Sequence, residues 1–205
     1  MNFKPTIIID IDGTYYDGFK KDDKEIIKKV YKDNKIINLL NNIAWFFNSF
    51  DIFSNSFLVF KCRFFLYNIF THKRYLDTLN EYEMLYRKLL LKNKQKKENL
   101  IYYLEKNYNI VFISSNPYAC KYMREELLFN CIDTKSSKHR KKVIINLLKS
   151  NFVFCTVGNN YTDDIKIANV LGIKSYYIGK SIFAKCFKNC YCYKSFEEFV
   201  YSIKN

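Results

Sequence analysis

Two aspartates one residue apart stand near the start of the 205-residue chain, in the segment TIIIDIDG at 6–13. The short apolar, β-branched run before them is typical of a buried strand, and the Asp-Gly pair predicts a turn. At the end of such a strand Asp10 can attack an electrophile as a nucleophile. Asp12 can give a proton to a leaving group and then take one from water. Gly13 allows a tight turn that presents backbone N–H groups to an anion.

Polar residues also follow two later segments that resemble strands. Ser115 comes directly after a strand predicted over 109–113, and a second polar set follows a strand predicted over 152–157: Asn159, Asp163 and Asp164. Ligands of an open parallel sheet bind beyond the carboxyl ends of its strands, so these groups can share one pocket with the first two aspartates. The Ser115 hydroxyl and a lysine would hold phosphate oxygens. The further acids would hold a hard cation such as Mg²⁺ through oxygen ligands and retained waters.

Predicted strands and helices alternate in the second half of the chain, which implies βαβ units and a parallel sheet with helices on both faces. The fold class expected is therefore a three-layer, Rossmann-like α/β core. The strands are predicted over 109–113, 129–132, 152–157 and 174–178, and the helices over 118–128, 137–149, 163–171 and 196–203, with Ser137 as a helix cap and Gly172 after a helix end.

The region between the first strand and residue 107 has a different character. It contains no Gly or Pro from Phe19 to Asn116, and its apolar residues recur at helical spacing. We therefore predict an all-helical insertion over 18–106, inside an α/β core formed by 1–17 and 107–205.

Three segments of the sequence resemble motifs of the haloacid dehalogenase-like (HAD) superfamily. Residues 10–14 (DIDGT) are similar to its first motif, residues 113–116 (ISSN) to its second, and residues 157–165 (VGNNYTDDI) to its acidic fourth motif. The order and spread of the motifs match the family, and they cover the sheet domain, about half of the chain. The position of the helical insertion, between the first two motifs, is that of the family's α-helical C1 cap.

The resemblance implies a role for each matching residue. Asp10 would be the nucleophile that forms an aspartyl-phosphate, and Asp12 the general acid and base. The presence of Asp12 favours phosphoryl transfer over dehalogenation, because an alkoxide leaving group needs a proton and a halide does not. Ser115 would bind phosphate, with Ser114 as the close alternative. The other phosphate-binding candidates are Gly13, Thr14, Asn116 and, for the third-motif lysine, Lys138 with Lys141 as runner-up.

The expected cofactor is Mg²⁺, and one departure from the family pattern concerns its site. The candidate metal ligands are Asp10, Asp12, Asn159, Asp163 and Asp164. The family usually has Asp where this chain has Asn159. An amide oxygen can ligate Mg²⁺ but brings no charge, so metal affinity would fall unless a later acid compensates. Two alternatives to a phosphohydrolase stay open. Asn159 and the basic charge favour a catalytically weak or inactive binding protein of this fold. A phosphotransferase or mutase would use the same residues but exclude water.

Composition narrows the class of protein further. The chain is 49% hydrophobic, which excludes intrinsic disorder, and no apolar run is long enough to predict a membrane span. The net charge of +14 fits a bias toward Lys and Asn codons that leaves solvated charged faces, and it also fits attraction of anionic partners, here a small phosphorylated substrate. No motif indicates nucleic-acid binding. Seven cysteines and no evident signal peptide predict reduced thiols in a cytoplasmic protein that does not bind membranes.

Overall fold

The computed structural model describes residues 4–16, 19–49, 57–179 and 189–203. In these ranges six strands form one sheet in the order β3-β2-β1-β4-β5-β6, and every pairing is parallel. The strands are β1 (Thr6–Asp10), β2 (Asn109–Ser114), β3 (Cys131–Asp133), β4 (Val153–Gly158), β5 (Lys174–Ile178) and β6 (Cys190–Tyr193). The helices are α1 (Phe19–Val30), α2 (Lys35–Ser49), α3 (Phe57–Thr71), α4 (Tyr75–Asn107), α5 (Pro117–Glu125), α6 (Ser137–Ser150), α7 (Ile167–Val170) and α8 (Phe196–Ser202), and a π-helical turn (Tyr161–Lys166) leads into α7.

Strand β1 lies at the centre of the sheet because its apolar run can be buried on both faces. Ile7, Ile8 and Ile9 are all fully buried. Asp10 pairs in register with Ile113 of β2, which places the carboxyl ends of β1 and β2 side by side. The end of β4 lies on the other side of β1. The polar residues that follow these three strands are therefore at one edge of the sheet.

Helices cover both faces of the sheet. On one face Ile7 and Ile9 share a core with residues of α4, α5 and α8, among them Leu104 and Phe199. On the other face Ile8 packs in a smaller core with Ile144 of α6 and Ala168 of α7. The predicted three-layer α/β fold is confirmed.

The region predicted as a helical insertion contains α1, α2, α3 and most of α4, while residues 50–56 lie outside the described residues. Helix α4 has 33 residues and spans about 50 Å at 1.5 Å per residue. It contacts α1 and α3, and also β2, α5 and α8. One continuous helix therefore packs against both the helical insertion and the α/β core. The domain boundaries at 17/18 and 106/107 stay a prediction.

Several predictions differ from the structure in detail. Strand β6, which extends the sheet at its edge, was absent from the prediction, and the helix expected over 163–171 is a π-helical turn followed by the short α7. Ser136 caps α6, accepting a hydrogen bond from the His139 N–H at 3.2 Å, so the predicted cap Ser137 is the first helical residue. Cys120 and Cys131 form a disulfide rather than the expected free thiols.

No helix in the described ranges combines the length and the apolar character needed to cross a membrane.

Candidate active site

Asp10 forms the floor of the candidate site at the end of the central strand. It is only 6% exposed. The Thr14 hydroxyl donates to its Oδ2 at 3.5 Å, and Nη2 of Arg140 donates to its Oδ1 at 3.0 Å. Burial raises the pKa of Asp10 to about 7, although the Arg140 charge opposes the shift, while the nearby Asp12 adds to it. Asp10 is thus a buried carboxyl group held by two donors, in surroundings that disfavour its ionised form.

Arg140 is the basic residue that enters this site. Its guanidinium contacts Asp10 and Asp164, and its Nε donates to the Thr134 hydroxyl at 3.2 Å. Burial alone would lower the pKa of Arg140, but Asp164 and Asp10 hold it above its ordinary value, so the group stays charged. A planar guanidinium can bond two carboxylates at once, which a lysine ammonium does with less defined geometry. Arg140 therefore links β1, α6 and the π-helical turn.

The predicted phosphate-binding lysines are not the basic group buried beside Asp10. Lys138 and Lys141 are both exposed, whereas Arg140 is 3% exposed. The reason is the direction of α6: residues three or four apart share a face, and the face that carries Ser137, Arg140 and Ile144 is turned toward the sheet. This spacing, starting from the capped helix end, is the sequence signal that identifies the arginine.

Asp12 is contacted by a residue of the long helix α4. The Tyr86 hydroxyl, on α4, donates to Asp12 Oδ1 at 2.7 Å. Burial raises the pKa of Asp12 to about 6, and the hydrogen bond from Tyr86 acts in the opposite direction. Tyr86 was not among the predicted site residues. Its local sequence does not identify it as a site residue, because a tyrosine among the apolar residues of a helix is expected to pack in the core.

The turn after Asp12 requires glycine. Gly13 has φ +90°, a conformation that other residues adopt only with strain, and a Cβ there would overlap the Asn159 carboxamide. The Gly13 N–H donates to the Tyr16 carbonyl at 2.8 Å. The structure thus brings Asn159, at the end of β4, against the Asp12–Gly13 turn.

The predicted second motif lies at the end of β2. Ser114 is buried, and its hydroxyl accepts from the Asn116 N–H at 3.0 Å, while Ser115 is partly exposed at the strand end. The Asn116 side chain caps α5 by accepting from the Tyr118 N–H at 3.1 Å. Its Nδ2 is buried close to the Asp12 carboxylate without an acceptor in hydrogen-bond geometry. The Asn116 side chain thus directs an amide N–H donor toward the site.

The acids after β4 are fixed by the π-helical turn. Asn160 caps it by accepting from the Thr162 and Asp163 N–H groups at 2.9 and 3.0 Å. The Asn160 N–H donates to Asp164 at 3.0 Å, and the Ser137 hydroxyl bonds Asp163. A Cβ at Gly158 would overlap the Asp164 carboxylate. Insertions of this kind in helices are frequent at functional sites, and here the turn buries two consecutive aspartates.

The site carries more negative than positive charge. Burial raises the pKa of Asp164 to about 8, with Arg140 opposing. Asp163 and Asp12 also lie close enough to raise the pKa of Asp10. Four carboxylates thus surround one guanidinium. Among the described residues no group of three or more His, Cys, Asp or Glu is arranged to hold a metal ion. A cation here would need neutral oxygens beside the carboxylates, and the Asn159 amide is such a group.

The fold was compared with solved structures. YfnB of Bacillus subtilis, assigned as a HAD hydrolase and crystallised with magnesium, matches with a TM-score of 0.63 at 14% identity over 100% of both chains. The chain has the haloacid dehalogenase-like fold. A HAD phosphatase from Thermococcus onnurineus has a TM-score of 0.56 at 15% identity, with 97% of each chain covered. A 2-haloacid dehalogenase from Pseudomonas syringae has a TM-score of 0.51 at 11% identity, covering 99% of this chain and 100% of its own.

No protein-family model matches the sequence, and the comparison with curated proteins finds no match. The HAD-like fold is therefore the part of the resemblance that the comparisons support. The structures that share it include both a phosphatase and a dehalogenase, so the chemistry must be argued from the site itself.

Proposed function

We propose that this protein is a Mg²⁺-dependent phosphomonoester hydrolase that acts on a small phosphorylated compound through an aspartyl-phosphate on Asp10. The observation that carries the proposal is the pair of carboxylates at the end of β1. Asp10 is fixed by Arg140, and Asp12, two residues on, has a pKa raised to about 6. A carboxyl group whose pKa lies closer to neutrality than that of an ordinary carboxyl can give a proton to an alkoxide leaving group, which a halide would not need, and can take one back from water.

The reaction follows from these positions. A carboxylate oxygen of Asp10 attacks phosphorus, the bond from phosphorus to the ester oxygen breaks, and Asp12 gives its proton to that oxygen. Asp12 then takes a proton from water, which attacks the aspartyl-phosphate, releases inorganic phosphate and restores Asp10. Ser115 and the Asn116 amide lie at the neighbouring strand end, where donors to phosphoryl oxygens are needed.

The excess of buried carboxylates supports a divalent cation. Asp10 and the Asn159 amide would hold it, together with Asp163 and Asp164. When bound, Mg²⁺ would offset the repulsion between the nucleophile and a phosphate dianion. Magnesium is also bound in the YfnB crystal structure, which supports this choice of metal.

The test is hydrolysis of p-nitrophenyl phosphate and a panel of alkyl phosphomonoesters, with Mg²⁺ and with EDTA. We expect release of inorganic phosphate that requires Mg²⁺ and is abolished by Asp10→Asn. Asp77→Asn, the same change at an exposed aspartate of α4, is the matched control and should retain activity. Comparable turnover by Asp10→Asn would remove the mechanism. Phosphate found on an added alcohol rather than in solution would identify a phosphotransferase or mutase.

A second function, a non-catalytic binding protein, is favoured by one specific observation. Arg140 bonds both Asp10 and Asp164, and the metal-ligand position at 159 holds an uncharged amide. With the nucleophile paired to a guanidinium and a charged metal ligand missing, such a site can bind a phosphate without turning it over. Phosphate binding by calorimetry, together with no hydrolysis of any ester in the panel, would favour this alternative.

A further inference from the structure

We infer that Tyr86 is a positioning residue for the general acid: its hydroxyl occupies one oxygen of Asp12 and so directs the catalytic proton to the other. The inference rests on the proposed function, and it gives helix α4 the role of orienting the general acid. It concerns one contact, from Tyr86 Oη to Asp12 Oδ1 at 2.7 Å, between residues 74 positions apart.

The Tyr86 ring is held rigidly. It is fully buried, and it packs against Tyr16 and Phe19 with centroid distances of 6.0 Å each and stacks on Tyr82 at 6.2 Å. Phe19 meets it edge to face, at an interplanar angle of 86°. A fully buried ring in contact with three others has little room to move, because protein interiors are close-packed. The hydroxyl is therefore aimed at Asp12 by packing, not by the hydrogen bond alone.

The position of the hydroxyl has a consequence for proton transfer. A carboxylic acid carries its proton on one oxygen, and an oxygen that already accepts a strong hydrogen bond is the poorer site for it. With Tyr86 donating to Oδ1, Oδ2 is the oxygen left to carry the transferred proton. A proton on a defined oxygen is correctly oriented before the substrate binds, and such pre-orientation contributes to catalysis.

A second tyrosine one turn away provides an internal comparison. Tyr82 stacks on Tyr86, but its hydroxyl donates to Oδ1 of Asp23 at 2.7 Å. Asp23 is fully buried and is held by a bidentate contact from Arg63, 3.0 Å at each nitrogen. Tyr82 and Tyr86 thus share a helix, a ring type, complete burial and a carboxylate acceptor. They differ in which carboxylate they hold.

The experiment compares Tyr86→Phe with Tyr82→Phe on two substrates. p-Nitrophenyl phosphate has a good leaving group that needs little protonation, and an alkyl phosphomonoester depends on the general acid. General acid–base catalysis contributes roughly 10² to 10⁴-fold, so we expect Tyr86→Phe to lower kcat/KM, which reports the phosphorylation step, by about 10-fold or more on the alkyl ester. We expect kcat/KM on the aryl ester to change by about 2-fold or less. Tyr82→Phe should leave the ratio of the two rates as in the wild type.

A double-mutant cycle separates positioning from a structural role. In an Asp12→Asn background, Tyr86→Phe should not lower kcat/KM on the alkyl ester further, because the carboxyl group it serves is gone. Thermal unfolding of each variant checks that the phenylalanine ring keeps the fold. An equal loss on both esters, no loss on either, or a further loss in the Asp12→Asn background would each overturn the inference. Failure of the wild type on both esters would instead overturn the proposed function on which it rests.

Discussion

The guanidinium of Arg140 lies 3.0 Å from Asp10 and also bonds Asp164, so one buried cation joins the end of the central strand to the π-helical turn after β4. The two acids lie 154 positions apart in the chain, counting from residue 10 to residue 164. Breaking a buried ion pair is costly because the remaining charge has no partner and little water. Arg140 is therefore central to both the stability and the chemistry of the site.

Arg140→Ala should lower the free energy of unfolding by about 3–5 kcal/mol at neutral pH, since it leaves two buried carboxylates without their cation. Arg140→Lys should lower the free energy of unfolding by less than Arg140→Ala, because it keeps the charge. It should still lower it, because a lysine cannot bond the two carboxylates with the geometry of a guanidinium. Urea unfolding measures both. Arg124→Ala, at an exposed residue of α5, is the control and should change stability by less than about 0.5 kcal/mol. A loss for Arg140→Ala no larger than that control would contradict the role of the pair.

The central strands could be predicted from the sequence because their apolar, β-branched runs have few other ways to be buried. The paired aspartates and the residues after β2 and β4 could likewise be placed at one sheet edge, since parallel strands share the direction of their carboxyl ends. Strand β6 was not predictable from its residues, CYCY, which lack the β-branched pattern that marked the other strands.

Two site residues, Arg140 and Tyr86, were not predicted, because packing between distant segments brings them into the site. Arg140 was hidden in a basic run, and only the helix start at Ser136 decides which member of the run faces the sheet. Tyr86 contacts Asp12 only because α4 passes over the carboxyl end of β1, and no local pattern encodes that crossing. The Tyr86 contact depends on how α4 is oriented over the sheet, which sequence periodicity does not determine.

Magnesium should stabilise the protein more at alkaline than at acid pH. Folding raises the pKa of Asp10 to about 7 and that of Asp164 to about 8, so the folded state binds more protons than the unfolded chain above about pH 4. The stability contribution of these acids is present at low pH and is lost as the pH rises through the two folded values. A cation that binds the ionised site restores it.

The measurement is the melting temperature at pH 5.5 and at pH 8.0, each with EDTA and with Mg²⁺. We expect the increase caused by Mg²⁺ to be clearly larger at pH 8.0. Asp10→Asn removes one of the ionising ligands and should reduce the Mg²⁺ effect at both pH values. An effect of Mg²⁺ that is independent of pH, or that grows toward acid pH, would contradict the assignment of these carboxylates to the metal.

Asn159→Asp should strengthen the dependence on Mg²⁺. The side chain lies against the Asp12–Gly13 turn, so a carboxylate there would add a charged ligand beside Asp10. A gain of about 1.4 kcal/mol in binding corresponds to a tenfold lower half-saturating Mg²⁺ concentration, and a shift of this order is expected in activity titrations. Asn169→Asp adds the same charge at an exposed position and serves as control. Loss of activity with an unchanged Mg²⁺ titration would show that residue 159 is not a ligand.

Gly13→Ala should abolish the site while costing more stability than the same change at Gly172. Both glycines have positive φ, +90° and +71°, so both substitutions incur the strain of a left-handed backbone, about 1 kcal/mol. Only at Gly13 does the added methyl group overlap another residue, Asn159, whereas at Gly172 it meets nothing within 4 Å. Urea unfolding and hydrolysis rates of the two variants separate the effects. For Gly172→Ala we expect a stability loss of about 1 kcal/mol with retained activity. For Gly13→Ala we expect a larger stability loss and no activity. Equal effects of the two substitutions would mean that Asn159 moves away readily and that its contact with the turn does not shape the site.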